Sequence, residues 1–203
     1  FLMPEFAGCL EVLAEKGPSL FQTGVVANTI LEWAEQGGLI RAEDLAQFQV
    51  EERAPLRVQG VQLEDCEILL NPPPASGGTL IAHTLGQPEI STAMGLARAM
   101  QSTAVAREQL LDPSSRGSTT HLSVIDAAGN AASLTMTNGE GCGSLLPACG
   151  FMLNNVLGEE DLNPGGFHRH APGQRLPSMM SPTIVLREGR PVLVTGSAGS
   201  NRI

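Results

Sequence analysis

Gly117-Ser118-Thr119-Thr120-His121-Leu122-Ser123-Val124-Ile125-Asp126 is the stretch on which the reading of this chain turns. Apolar and polar residues alternate from Leu122 to Asp126, the period of a half-buried β-strand. A small residue and a Thr pair stand directly before it. If the backbone breaks between Ser118 and Thr119, Thr119 gains a free amine beside its own hydroxyl. A hydroxyl is a poor nucleophile at neutral pH, and an N-terminal amine within reach can remove its proton as general base. One residue then supplies nucleophile and base. Taken alone these few residues fit the plainer reading better, a polar lead into a strand.

Downstream, Ala127-Ala128-Gly129-Asn130 is a turn, and Ala131 to Thr137 alternates again, so the two runs predict a β-hairpin with Thr119 at its start. Further short strands are expected at Phe151 to Asn154, Thr183 to Leu186 and Val192 to Thr195, the last two joined through Glu188-Gly189. Upstream, Asp112-Pro113-Ser114-Ser115-Arg116-Gly117-Ser118 is polar and turn-forming, as an exposed, cleavable linker would be. Ser91 to Leu111 has helical spacing, with Met94, Leu96, Met100, Val105 and Leu110 apolar and Ser91 the expected cap.

Pro72-Pro73-Pro74-Ala75-Ser76-Gly77-Gly78 is a rigid run ending in glycines that leads into a helix start at Thr79-Leu80-Ile81, on which His83 is expected to be packed or capping. The first third reads as helical. Phe6, Leu10 and Leu13 are closed by Gly17, and Val25, Ile30, Leu31 and Trp33 by Gly37-Gly38. Arg41 to Phe48 predicts a short helix. Strands are expected around Arg57 to Val61 and Cys66 to Leu70.

With 203 residues, 42% hydrophobic and 16% charged, the composition is that of a folded chain able to bury a sizeable core. A net charge of −9 disfavours nucleic acid and anionic membrane surfaces as partners and leaves a small substrate or a protein. No apolar run approaches the roughly 20 residues that span a bilayer, and no signal-like segment opens the sequence. Cys9, Cys66, Cys142 and Cys149 lack the paired short spacing of zinc sites and read as buried thiols. His168 and His170 flank Arg169 without a nearby carboxylate or thiolate, so no metal is expected, and no cofactor is implied. The chain opens at Phe1 without a Met and stops at Ile203 just past a strand and glycine turn, which suggests a fragment or omitted segments.

Thr119 to Asp126, Gly129-Asn130-Ala131, Thr135-Met136-Thr137, Leu153-Asn154-Asn155, Met180-Ser181-Pro182-Thr183-Ile184-Val185 and Gly196-Ser197-Ala198-Gly199 together resemble the γ-glutamyltransferase (γ-glutamyl transpeptidase) family. Upstream, Gly37-Gly38-Leu39-Ile40, Asp44-Leu45 and the Pro72 to Gly78 run look like the later part of that family's large subunit. The resemblance implies an α+β fold, an αββα sandwich of the N-terminal-nucleophile hydrolase type, incomplete in this chain. It implies a large-subunit-like region over 1–118, helical then β, and a small-subunit-like, β-rich region over 119–203. The precursor would cleave itself between Ser118 and Thr119, after which its two halves are each other's partner.

By the same resemblance Thr119 is the catalytic nucleophile and Thr137 the second active-site threonine, which hydrogen-bonds it. Gly199 and Ser200 form the oxyanion hole, where the family has two adjacent glycines. Asn138 is implied as a substrate-binding asparagine after a one-residue shift. Glu159, in Gly158-Glu159-Glu160-Asp161, stands where an aspartate usually binds the substrate α-amino group; three successive acids also fit a solvated turn. The family's paired serines appear as Ser178-Met179, so Ser178 keeps one hydroxyl for a glutamyl carboxylate while methionine cannot donate the other bond. The connection from Leu111 to Ser118 is shorter than is usual in the family.

The implied reaction is transfer of an acyl group from a γ-glutamyl or related acyl amide, glutathione-like, to water or an amine acceptor. Two alternatives stay open. Glu159, Met179 and Ser200 also suit a cephalosporin-acylase-like relative with a different acyl specificity. An uncleaved, catalytically silent relative would serve binding or structure, because His121, alternating with Thr120 along the strand, is a weak replacement for the missing amine base.

Overall fold

The computed structural model describes residues 2–59, 65–110, 119–160, 163 and 165–198. The chain divides into two compact units, Phe1–Glu52 with Gly141–Asn154, and Arg53–Glu140 with Asn155–Ile203. These units follow spatial contact, whereas the expected division into 1–118 and 119–203 follows a chain break, and each unit takes residues from both sides of that break.

In the first unit, α1 spans Pro4–Lys16, α2 Ser19–Gln22, α3 Val25–Ala34 and α4 Ala42–Ala46. Pro4 opens α1 where its missing N–H costs nothing, and Gly17 ends it at φ 64°, its N–H donating to Leu13 O at 2.8 Å. Cys9, Leu20, Val26 and Ile30 form a core with Leu146 and Cys149, edged by Leu13, Phe21, Trp33 and Phe151. Burial pushes the Cys149 thiol pKa up, with Cys9 beside it. Residues 151–154 are not the expected strand. Met152 makes a single bridge to Leu145, and Gly150 at φ 66° turns the chain so that Phe151 O accepts from Leu146 N and Leu153 O from Cys142 N. The apolar run is used for packing, with too short a partner to build a ladder.

The second unit holds β1 Leu56–Gln59, β2 Cys66–Leu70, α5 Ser76–Leu85, α6 Ala93–Leu110, β3 Thr119–Ile125, β4 Ala131–Thr137, a 3₁₀ turn Val156–Gly158, β5 Thr183–Arg187 and β6 Arg190–Thr195. One antiparallel sheet runs β1-β2-β5-β6, and β3-β4 is a separate hairpin. Cys66, Ile68 and Leu70 on one face of β2 join Val185 of β5 in a core that takes Ala82 and Leu85 of α5 as its lid. Glu188 and Gly189, both at positive φ, make the tight β5–β6 turn.

Two helix starts differ from expectation. Helix α5 begins at Ser76, not Thr79, so Gly77 and Gly78 lie inside its first turn. A Cβ at Gly77 would strike the Met179 carbonyl, and one at Gly78 the Asn71 carbonyl. These glycines serve close backbone approach rather than a turn. Helix α6 is capped by Thr92 rather than Ser91, Thr92 Oγ1 accepting from Gly95 N at 3.0 Å. Among the described residues no helix is long and apolar enough to cross a membrane, and no group of three His, Cys, Asp or Glu could hold a metal.

Candidate active site

Strand register brings the two threonines together. Thr119 opens β3 directly opposite Thr137, the last residue of β4, and the ladder continues through His121↔Thr135 and Ser123↔Ser133 to Ile125↔Ala131. Because side chains alternate along a strand, Thr119, His121, Ser123, Ser133, Thr135 and Thr137 share one face. Thr119, His121, Ser133 and Thr135 are half-buried, whereas Leu122, Val124, Leu134 and Met136 on the opposite face are 51%, 57%, 48% and 47% exposed. The hairpin thus turns its polar row inward. That row meets β6, with Ser133 Oγ donating to Thr195 O at 3.1 Å.

His121 shares this face with Thr119 but is occupied elsewhere. Its Nδ1 lies 2.8 Å from Thr135 Oγ1 and its Nε2 2.8 Å from Ser123 Oγ. Both ring nitrogens being engaged, it does not stand as a base for Thr119.

Beyond Thr137 the chain makes a clamped turn. Thr137 Oγ1 accepts from Gly139 N at 3.1 Å, and exposed Asn138 bridges to Glu140. Glu140 N donates to both Asn155 Oδ1 at 2.9 Å and Glu159 Oε1 at 2.6 Å. Gly139 sits at φ 61° with those same two oxygens where a Cβ would go. Glu159 is only 6% exposed, so the solvated-turn reading does not hold for it, although Glu160 is exposed. Asn163, which the sequence reading did not single out, holds this arrangement. Buried at 6%, it donates through Nδ2 to Val156 O, Leu157 O and Glu159 O. A lone Asn beyond an acidic run carries no periodic signal that could have marked it.

Ser178 is held to the start of α5. Ser178 O accepts from Ser76 N at 2.8 Å and Ser76 Oγ at 3.0 Å, and Ser178 Oγ accepts from Met180 N at 3.0 Å. The Met179 sulfur accepts from Ser76 Oγ at 3.1 Å. Met179 also lines a mostly apolar cavity of ≈ 540 Å³ between α5, α6 and the sheet, with Leu80, Met100, Arg107 and Gly196 among its walls. Ser118, Gly199 and Ser200, together with the 111–118 connection, lie outside the described residues. The register therefore unites Thr119 with Thr137, and hydrogen bonds bring Glu159 to the turn that follows Thr137 and Asn138.

The sequence profile of gamma-glutamyltranspeptidase matches residues 1–89 and 88–203, two pieces that meet in the turn between α5 and α6. The glutathione hydrolase proenzyme of Pseudomonas aeruginosa is 32% identical over 269 residues, covering 100% of this chain and 47% of its own length. That of Escherichia coli is 31% identical, covering 97% and 45%. The acylase ACY 1 proenzyme of Pseudomonas sp. strain SE83 is 28% identical, covering 98% and 44%. The chain spans about half the length of these curated relatives. Among solved structures, a cephalosporin acylase from Bacillus halodurans superposes with TM-score 0.66 at 19% identity, covering 94% of this chain and 43% of that one. That likeness bears out the expected fold class, α+β of the N-terminal-nucleophile hydrolase type, of which this chain carries part.

Proposed function

Because the chain belongs to the γ-glutamyltranspeptidase family, we propose that it carries the nucleophile of a self-processing threonine amidohydrolase and acyltransferase. Thr119 Oγ attacks the Ser118 carbonyl carbon, the Ser118–Thr119 amide becomes an ester, and water releases Thr119 with a free amine. The products are a large-subunit-like 1–118 region and a small-subunit-like 119–203 region. In turnover that amine takes the Thr119 hydroxyl proton, and Oγ attacks the γ-glutamyl carbonyl. The leaving amine takes up a proton, and the acyl-enzyme passes its acyl group to water or an acceptor amine.

Thr137 hydrogen-bonds the nucleophile, backbone N–H groups at Gly199 and Ser200 receive the oxyanion, and Asn138, Glu159 and Ser178 hold the acyl group. The substrate is a γ-glutamyl amide of the glutathione type. The observation that carries this reading is the pairing of Thr119 with Thr137 across the hairpin. The test is the intact mass, under denaturing conditions, of the full-length gene product and its Thr119→Ala variant. Two fragments meeting at Ser118/Thr119 in the wild type alone are expected. One uncut chain in both would move the assignment to a dormant precursor or a silent relative.

One observation favours a second reading, an acylase of the same chemistry with a different acyl group. Met179, where a hydroxyl donor is expected for a glutamyl carboxylate, offers a thioether that is itself an acceptor for Ser76. Turnover of a glutaryl amide without turnover of a γ-glutamyl amide would select it.

A further inference from the structure

Among the contacts between the hairpin and the end of β6, two are close enough to fix its position. One is the Ser133–Thr195 hydrogen bond. The other is made by the His121 ring, against which Gly196 lies so closely that a Cβ there would run into Cε1 and Nδ1 and come within 2.7 Å of Nε2. Gly196 is not among the positive-φ glycines, so its backbone conformation does not require glycine; the lack of room does. The ring is fixed at both nitrogens, by Thr135 from the opposite strand and by Ser123 from its own. Each partner is a hydroxyl that can donate or accept, so the ring is satisfied in either tautomer. A side chain held at both ends and packed on its face acts as a spacer of fixed thickness.

We infer that His121 is a positioning residue, setting the distance between the Thr119 strand and the end of β6. This rests on the reading of Thr119 as nucleophile and of Gly199 and Ser200, which lie outside the described residues, as the oxyanion donors. Thr119 lies two residues before His121 on the same face, and Gly199 follows Gly196 by three residues in sequence. His121 touches no reacting atom. It fixes the two segments whose mutual placement decides whether the nucleophile and the oxyanion donors can serve one carbonyl.

The contact makes a reciprocal prediction in the full-length gene product. Gly196→Ala pushes a methyl into the ring, and His121→Ala removes the spacer. A misplacement on the order of 1 Å costs about 100-fold in rate, so each single change is expected to lower kcat per titrated active site at least about tenfold, with KM of a γ-glutamyl anilide little moved. In the double variant the new methyl meets no ring. Gly196→Ala should therefore cost nothing further in the His121→Ala background, a non-additivity expected of residues in contact, and reading it in kcat per titrated site separates positioning from loss of folded protein. Hydrogen exchange at residues 193–198 should rise in His121→Ala.

Unchanged kcat per site in His121→Ala, an undiminished Gly196→Ala penalty in the double variant, or unchanged exchange at 193–198 would each overturn the inference. Should His121→Ala not fold, His121→Phe keeps the ring and loses both hydrogen bonds, and Gly196→Ala must then remain harmful. Failure of the nucleophile assignment shows separately, as turnover retained by Thr119→Ala, and the His121–Gly196 contact is still read by exchange in that variant.

Discussion

The sheet β1-β2-β5-β6 and the hairpin β3-β4 use the same alternation in opposite senses. In the sheet, Cys66, Ile68 and Val185 are 7%, 7% and 6% exposed, and Leu70 2%, beneath the apolar face of α5. In the hairpin the apolar row is the exposed one, and the half-buried row is Thr119, His121, Ser133 and Thr135. Burial of aliphatic surface stabilises by about 25 cal/mol per Å², a gain that the sheet makes within this chain and the hairpin's aliphatic row does not. The sheet carries stability, and the hairpin presents hydroxyls and an imidazole to β6.

The sharpest way to break that contrast is a pair of substitutions with opposite signatures. Thr119→Ala is expected to lower turnover by at least roughly 10³-fold while leaving thermal unfolding almost unmoved. Ile68→Ala should destabilise the protein by about 2–5 kcal/mol through lost burial and a cavity, with turnover per folded molecule kept. Leu122→Ala, on the exposed row, should cost about 0.5 kcal/mol or less. Chemical denaturation and turnover per folded molecule read all three. Equal destabilisation by Ile68→Ala and Leu122→Ala would mean that the hairpin's outer face is packed in the full-length protein.

The strands and the hairpin were legible because period-2 alternation and the Gly129-Asn130 and Glu188-Gly189 turns are local signals. Helices α1, α3 and α6 were legible from apolar residues at helical spacing, which is equally local. What was not legible depends on contacts made outside the element itself. Gly77 and Gly78 read as a turn until Met179 and Asn71 are brought against them, and Phe151 to Asn154 reads as a strand until Leu146 and Cys142 take its carbonyls. In the site, Thr119 and Thr137 were named from the family resemblance, and their pairing required the register. The clamp of Glu159 and Asn155 on Glu140 N, and the role of Asn163 behind it, carry no pattern in a single sequence.

A smaller effect tests which acyl group the site takes. Met179→Ser restores a donor where the family's carboxylate-contacting pair is expected. One hydrogen bond of about 1–1.5 kcal/mol corresponds to roughly a tenfold gain in kcat/KM for a γ-glutamyl amide. Competition kinetics between γ-glutamyl and glutaryl amides measure it directly. An unchanged ratio would remove Met179 as the ground for the acylase reading, because it would place that side chain at the Ser76 side of the segment rather than at the acyl group.

The smallest expected effect separates the two regions by their response to acid and salt. In the hairpin turn, Asp126 Oδ1 accepts from Ala128 N and Asn130 N, and Oδ2 from the Asn130 side chain at 2.7 Å. The Asn130 side chain, then the backbone N–H groups, hold the Asp126 pKa below its ordinary value of 3.8. In the sheet, the hydrogen bond and charge of Arg57, 2.8 Å away, hold Glu67 below its ordinary 4.5. Both pKa values are depressed by folding, so both contributions are whole above the ordinary values and are lost as pH falls through the folded ones. Salt tells them apart. An exposed ion pair is screened at high ionic strength, whereas bonds from neutral amides to Asp126 are not between opposite charges. Unfolding measured against pH in Asp126→Asn and Glu67→Gln variants should therefore show the Glu67 difference shrinking in 1 M salt and the Asp126 difference persisting. Equal shrinkage of both would mean that the turn carboxylate is held by charge rather than by the Asn130 amide and its neighbours.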